Sequence, residues 1–385
     1  MASPQDSIRR IIEEEVLGPR MREYSSVLAL AVPEPLPLAR ADLLYLWDEH
    51  HTEMLDFNMQ LSPMGHCYDQ IHSAVAEHMR YYGLTGSQGL HMTRWPVSYA
   101  GKLSAIFSGP SEAFKVLFCE GQHEALRLAV RLACHRTDRP TALVLDTGWH
   151  DRLLDDRRLA APADWNQADW DRYGCLVLSV VDTVYQPVPC VREWMLSART
   201  AGVPVIVDES VTGFGRTGTL WGQEHPGLVA DLTVLGGPVG GGLPLGAVVG
   251  RPEFFTDPEL MTPGPLAGHP WCCAAGQVTL ESVHEGVLEH VRESAVVLAQ
   301  ALDGLQGQFP NRIEGHHGMG LLRGVQFVDK ARAAAFPLAA RHHGLHVPPA
   351  VGNVVLLAPA LVSSTHEVTR GVDLMADVLM SWEDS

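Results

Sequence analysis

Lysine is almost missing from this sequence of 385 residues. It occurs three times, at Lys102, Lys115 and Lys330, and arginine fills the other basic positions. Any chemistry that needs a primary amine is therefore easy to check. Positive charge as a whole is scarce, with a formal net charge of −17. Without a basic cluster to reverse it, that balance excludes nucleic acid and anionic membrane surfaces as partners. No apolar run reaches the roughly 20 residues of a membrane-spanning helix. The start, MASPQDSIRRIIEEEVLG, is too polar and acidic for a signal peptide and reads as an exposed amphipathic helix. The seven cysteines are scattered and form no C-x-x-C pair, which points to reduced thiols and a cytoplasmic location. HExxH and HxH spacings, internal repeats and low-complexity linkers are absent too.

What is present is a sizeable core. Hydrophobic residues make up 46% and charged residues 19%, which excludes global disorder. TALVLD (141–146), CLVLSVV (175–181), VPVIVDE (203–209), DLTVLG (231–236) and LGAVVG (245–250) read as buried strands. Helical periodicity fills 123–136 and 191–202 between them. Strands alternating with helices predict an α/β fold, a mainly parallel central sheet with helices on both faces. After residue 275 a long amphipathic helix and two further strand-like runs predict a smaller α+β domain. The expected division is 1–60 as an N-terminal segment of the small domain, 61–274 as the large α/β domain and 275–385 as the C-terminal small domain. LTVLGGPVGGGLPLGA (232–247) is a glycine-rich loop between strands, suited to close approach of backbone to a bound group.

WDEHHTEMLDF, GHCYDQIHSAVAEH, VIVDESVTGFGRTG, ADLTVLGGPVGGGLPLGA, AGHPWCCAAG and HHGMGLLRGVQF follow one another in an order that resembles the class III aminotransferases, fold type I enzymes that use pyridoxal phosphate. The resemblance spans nearly the whole chain. It implies a homodimer with small-molecule sites at its seam. It also sets Gly237 where the family carries its coenzyme-binding lysine. Gly121, Gln122 and His123 fall on the Ser-Gly-Thr phosphate cradle, with Glu120 beside them. Pro265 and His269 fall on the loop lent across the dimer, Asp146 on the aromatic residue that stacks on the pyridine ring, and Leu356 on the carboxylate-binding arginine. Asp208, which pairs with the pyridine nitrogen in the family, is retained.

Those differences lead the sequence reading away from pyridoxal phosphate. They predict an enzyme that needs no such cofactor, repurposed for acid–base cyclisation, dehydration, isomerisation or hydrolysis of a small molecule in specialised metabolism. Asp208, His123, Glu120 and Asp146 are the expected catalytic groups. His269, Trp149, His150 and Glu209 are the expected substrate contacts. Blander roles stand beside these: His123 as a helix decoration, Asp146 as a turn residue, Glu209 as a hydrogen-bonding brace, Trp149 as core. A divalent metal on Glu120, His123 and Asp146 or Asp208 ranks below metal-free chemistry. A non-catalytic subunit supporting a partner enzyme, and a lysine-free enzyme using pyridoxal or pyridoxamine phosphate, are the alternatives.

Overall fold

The computed structural model describes residues 36–81, 93–107, 113–145, 158–160 and 165–382. The chain enters through β1 (Leu38–Asp42), β2 (Tyr45–Asp48) and β3 (Glu53–Asp56), an antiparallel meander. Two helices follow, α1 (Asp69–Tyr81) and α2 (Arg94–Phe107). The large sheet is then laid down with its helices. Its elements are β4 (Lys115–Cys119), α3 (Gln122–Thr137), β5 (Thr141–Val144), β6 (Arg158–Ala160), β7 (Tyr173–Leu178), α4 (Val191–Thr200), β8 (Val205–Asp208), β9 (Leu232–Leu235) and β10 (Gly246–Gly250).

The order across that sheet is β4-β10-β9-β8-β7-β5-β6. The five strands from β9 to β6 are parallel. β10 runs antiparallel to both its neighbours, β9 and β4. The glycine-rich loop turns the chain straight back from β9 into β10, with no crossover helix to restore direction. Every residue of β7, β8, β9 and β10 is buried. That end-to-end burial is what a sheet covered on both faces imposes, and it explains why these strands read as nearly continuous hydrophobic runs, broken by Thr233 and by Asp208 at the end of β8.

The C-terminal part begins with α5 (Pro270–Ser282) and α6 (Leu288–Gln308), joined through a π-helical turn at Val283–Val287. The single long helix expected there is thus two helices in series. β11 (Ile313–Met319), β12 (Leu322–Phe327), α7 (Lys330–His342), β13 (Leu345–His346), β14 (Val354–Leu357) and α8 (Thr365–Ser381) complete the chain. β11, β12 and β14 make a three-stranded antiparallel sheet. β13 instead pairs in parallel with β3, so the entering meander and the C-terminal segment share one sheet. Arg216, fully buried after β8, ties the parts together: its guanidinium donates to the carbonyls of Met59 and Pro359. Among the described residues no helix is long and apolar enough to cross a membrane. The helix expected over the first residues lies outside those described.

Candidate functional site

Parallel strands release their loops at one edge of the sheet, and the crevice formed there is the usual ligand site of such folds. Here that crevice is a cavity of about 390 Å³. β7 delivers Ser179, Val181 and Asp182 to it, and the segment after β8 delivers Val211. The start of α3 adds Gln122 and His123, the chain before α1 adds Gln60 and Leu61, and β14 adds Leu356. A more open hollow of about 550 Å³ lies at the opposite edge, among Arg136, Arg139, Arg199 and Arg251. Three of these arginines serve the fold. Arg139 donates to the carbonyls of Trp170 and Tyr173, Arg199 to that of Val229, and Arg251 pairs with Asp231 at 3.3 Å.

The start of α3 has an N-cap, Gly121, with no side chain to accept from the first turn. A helix leaves its first N–H groups without intrahelical acceptors, so this end carries donors and positive potential. The sequence suggests that Glu120 would compete for those donors. Instead its carboxylate accepts from Leu266 N–H at 2.9 Å, in the loop before α5. Glu124 reaches the same loop, accepting from Gly264 N–H at 2.6 Å and from Glu120 N–H at 2.7 Å. Two carboxylates thus moor residues 264–266 beside α3, and a Cβ at Gly264 would lie 2.3 Å from the Glu120 carboxylate.

Asp208 ends β8, buried, with one oxygen accepting from Ser210 N–H at 2.8 Å. Ser210 is fully buried, and its hydroxyl has no hydrogen-bond partner among the described residues. It lies beside Gly236 and the Gln122 side chain: a Cβ built on Gly236 would stand 2.6 Å from Ser210 Oγ and from Gln122 Cβ. One residue further, a Cβ on Gly237 would meet Leu61 Cδ2 at 2.5 Å and Leu61 Cα at 3.2 Å. Lys102 lies on α2 in an ion pair with Glu281, Lys115 opens β4 and Lys330 opens α7. None of the three lines the cavity.

Of the residues expected to act together, His123 lines the cavity and Asp208 stands at the adjoining strand end. Glu120 is turned to the 264–266 loop. Glu209 lies away from the cavity lining, as a buried brace. Its carboxylate accepts from the Thr212 hydroxyl at 2.5 Å, Gly222 N–H at 2.8 Å and Gln223 N–H at 2.7 Å. Burial pushes its carboxyl up to about 7 despite those donors. His269 caps α5, its Nδ1 accepting from Trp271 N–H at 3.3 Å, and burial lowers its imidazole below the ordinary value. Asp146, Trp149 and His150 lie outside the described residues. Among the described residues no group of three or more His, Cys, Asp or Glu is placed to hold a metal ion. Tyr185, which the sequence offers as a wall of an apolar substrate pocket or as core, does line the cavity, whereas Leu61 and Ser210 escape a search for ionisable groups because their relevance is positional.

The architecture is that of the fold type I enzymes. Acetylornithine aminotransferase from Elizabethkingia anophelis superposes with a TM-score of 0.83 at 20% identity, covering 94% of this chain and 99% of that one. A pyridoxamine-phosphate-bound aminotransferase from Vibrio fluvialis gives 0.80 at 18%, covering 94% and 98%. Among sequence relatives, acetylornithine aminotransferase from Streptomyces coelicolor is 28% identical over 360 residues, 85% of this chain and 86% of its own. Residues 191–379 match the model of the family described as aminotransferase class-III. By that match over residues 191–379 and by its fold, the chain is similar to the class-III aminotransferases.

These findings overturn the sequence-based expectation of a cofactor-free acid–base enzyme. The relatives bear the names of aminotransferases, and the family works with pyridoxal phosphate. One of the several differences that led to that expectation reads otherwise in the structure, at Glu120. Read as a charge in the phosphate cradle, its carboxylate is in fact engaged by Leu266 N–H.

Proposed function

We propose that this chain works with its family's coenzyme, as pyridoxal or pyridoxamine phosphate, in amino-group transfer on a small molecule, and that it holds the coenzyme without a covalent bond. The observation that carries this reading is the geometry around Gly236 and Gly237. The donors at the start of α3, the Asp208 carboxylate and the unpartnered Ser210 hydroxyl gather at the strand ends, whereas Leu61 covers the direction a side chain at 237 would take. In this reading Gly237 replaces the family's lysine. The coenzyme supplies the electron sink for chemistry at carbon next to nitrogen. The α3 N–H groups suit its phosphate and Asp208 its pyridine nitrogen. His123 is the imidazole at the cavity, and a ring nitrogen there can accept and return the substrate's proton in place of an amine.

We further take the chain to act as a homodimer in the cytoplasm, the latter in keeping with cysteines that form no disulfide, such as Cys134 and Cys175, whose sulfurs stand 4.0 Å apart. One experiment addresses coenzyme and dimer together: sedimentation velocity followed at the coenzyme's near-ultraviolet band, with a borohydride-treated sample weighed by mass spectrometry. The expected result is the band sedimenting with two chains, and an unchanged chain mass after reduction. A chain that sediments without the band ends the coenzyme reading. A coenzyme-sized mass gain ends the non-covalent half, and a single-chain particle ends the dimer. His123→Gln should retain the band and lower turnover by about 10².

A further inference from the structure

Leu61, Val181, Tyr185, Val211 and Leu356 give the cavity its apolar wall, the uncharged Gln60, Ser179 and Thr183 stand among them, and no lysine or arginine is among the described residues that line the cavity. The acidic group there is Asp182. Its Oδ1 accepts from Val184 N–H and Gln186 N–H, both at 2.9 Å, whereas Oδ2 has no protein donor among the described residues. The loop that carries it is held stiffly. Asp182 N–H donates to Gln186 carbonyl at 2.9 Å, Tyr185 N–H to Asp182 carbonyl at 3.1 Å, and His317 Nε2 reaches Val184 carbonyl at 2.8 Å from β11. Tyr185 sits at φ +66°, a left-handed conformation that a bulky residue adopts only when its surroundings impose it. The same turn therefore fixes a ring in the wall and a carboxylate at its edge.

A carboxylate pressed against that wall would lose its water and find no lysine or arginine among the described lining residues in return, at high cost. An ammonium would find the Asp182 oxygen, and an uncharged hydrocarbon body would find the aliphatic and aromatic side chains. From this arrangement we infer that the cavity selects a primary amine on a neutral apolar body and rejects the corresponding α-amino acid. The inference rests on the proposed function in taking this cavity as the substrate's. It assigns Asp182 and Leu356 as specificity-determining residues.

The test uses the full chain and two probes that differ by one carboxylate, 2-phenylethylamine and L-phenylalanine, each titrated by calorimetry with and without pyridoxal phosphate. Phenylethylamine should bind tighter by about tenfold or more. Asp182→Asn should weaken it about tenfold while leaving 2-phenylethanol, which lacks the charge, unchanged. Leu356→Arg should narrow or reverse the preference, with its melting curve recorded because Leu356 is buried in β14. Phenylalanine binding equally well or better overturns the inference, as does binding of neither probe, and so does an Asp182→Asn chain that binds the amine as before. The coenzyme reading has its own readout in sedimentation. A chain that prefers the amine but carries no coenzyme band would retain this inference and lose that one, and the reverse outcome would do the opposite.

Discussion

Gly237 and Leu61 are far apart in sequence, and the fold brings them into contact. With Leu61 Cδ2 2.5 Å from where a Cβ would stand and Leu61 Cα 3.2 Å away, even an alanine at 237 forces movement. Leu61 is 52% exposed, so its side chain can yield at little cost, whereas its backbone resists. Gly237→Ala should therefore destabilise the chain by about 1–2 kcal/mol. Leu61→Ala alone should stay within about 0.5 kcal/mol. In the double variant part of the first loss should return, and denaturant unfolding of the four chains measures that coupling. Strict additivity would show that the two residues do not press on each other. The sequence gives sight of one partner only. A glycine at 237 stands out against the family's lysine, but nothing in the letters around Leu61 shows that it covers the same space. Ser210 is similar: its environment, an unpartnered hydroxyl beside Gly236, is a fact of three segments meeting.

Elements were easier to read than residue environments, for a physical reason. A strand buried on both faces must be apolar along its length, so the runs around β5, β7, β8, β9 and β10 announced themselves. β4 lacked that clarity, since its first residues are only partly covered. Direction was harder than existence: β10 lies antiparallel because its loop returns at once, and periodicity carries no sign of strand direction. The joint between α5 and α6 was hidden as well, because apolar spacing continues through the π-helical turn. Helix starts have local chemistry and are legible on that account. At α8, S-T-H-E forms a reciprocal cap: Ser364 Oγ accepts from Glu367 N–H at 3.2 Å, and Glu367 accepts from Ser364 N–H at 2.8 Å. α8 packs against α6, so loosening its first turn is transmitted to the C-terminal part. Ser364→Ala is expected to cost about 1 kcal/mol by denaturant unfolding, and Ser364→Asp much less. Equal losses for both would mean that the hydroxyl's packing, not its acceptor role, matters.

At the scale of the whole molecule, two sets of titratable groups, partly or wholly shielded from water, set opposite slopes of stability with pH. The folded chain holds the Glu209 carboxyl near 7, against an ordinary 4.5, because burial disfavours its charge. Between those values the folded state binds more protons than the unfolded one, so this group's contribution falls as pH rises and is lost by about 7. His78, His225, His269 and His346 behave in the reverse sense. Burial lowers each below the ordinary 6.5, the unfolded chain takes up protons first, and stability falls as pH drops below that value. The net charge of −17 adds repulsion that grows toward alkaline pH. The melting temperature should accordingly peak near pH 6.5 and decline on both sides. Glu209→Gln keeps the shape of the side chain but cannot titrate. It should lower the melting temperature throughout, since an amide nitrogen would face the Gly222 or Gln223 N–H, and it should flatten the decline between pH 6.5 and 7. A variant that keeps the wild-type slope in that interval would assign the decline to the overall charge and remove Glu209 from the account.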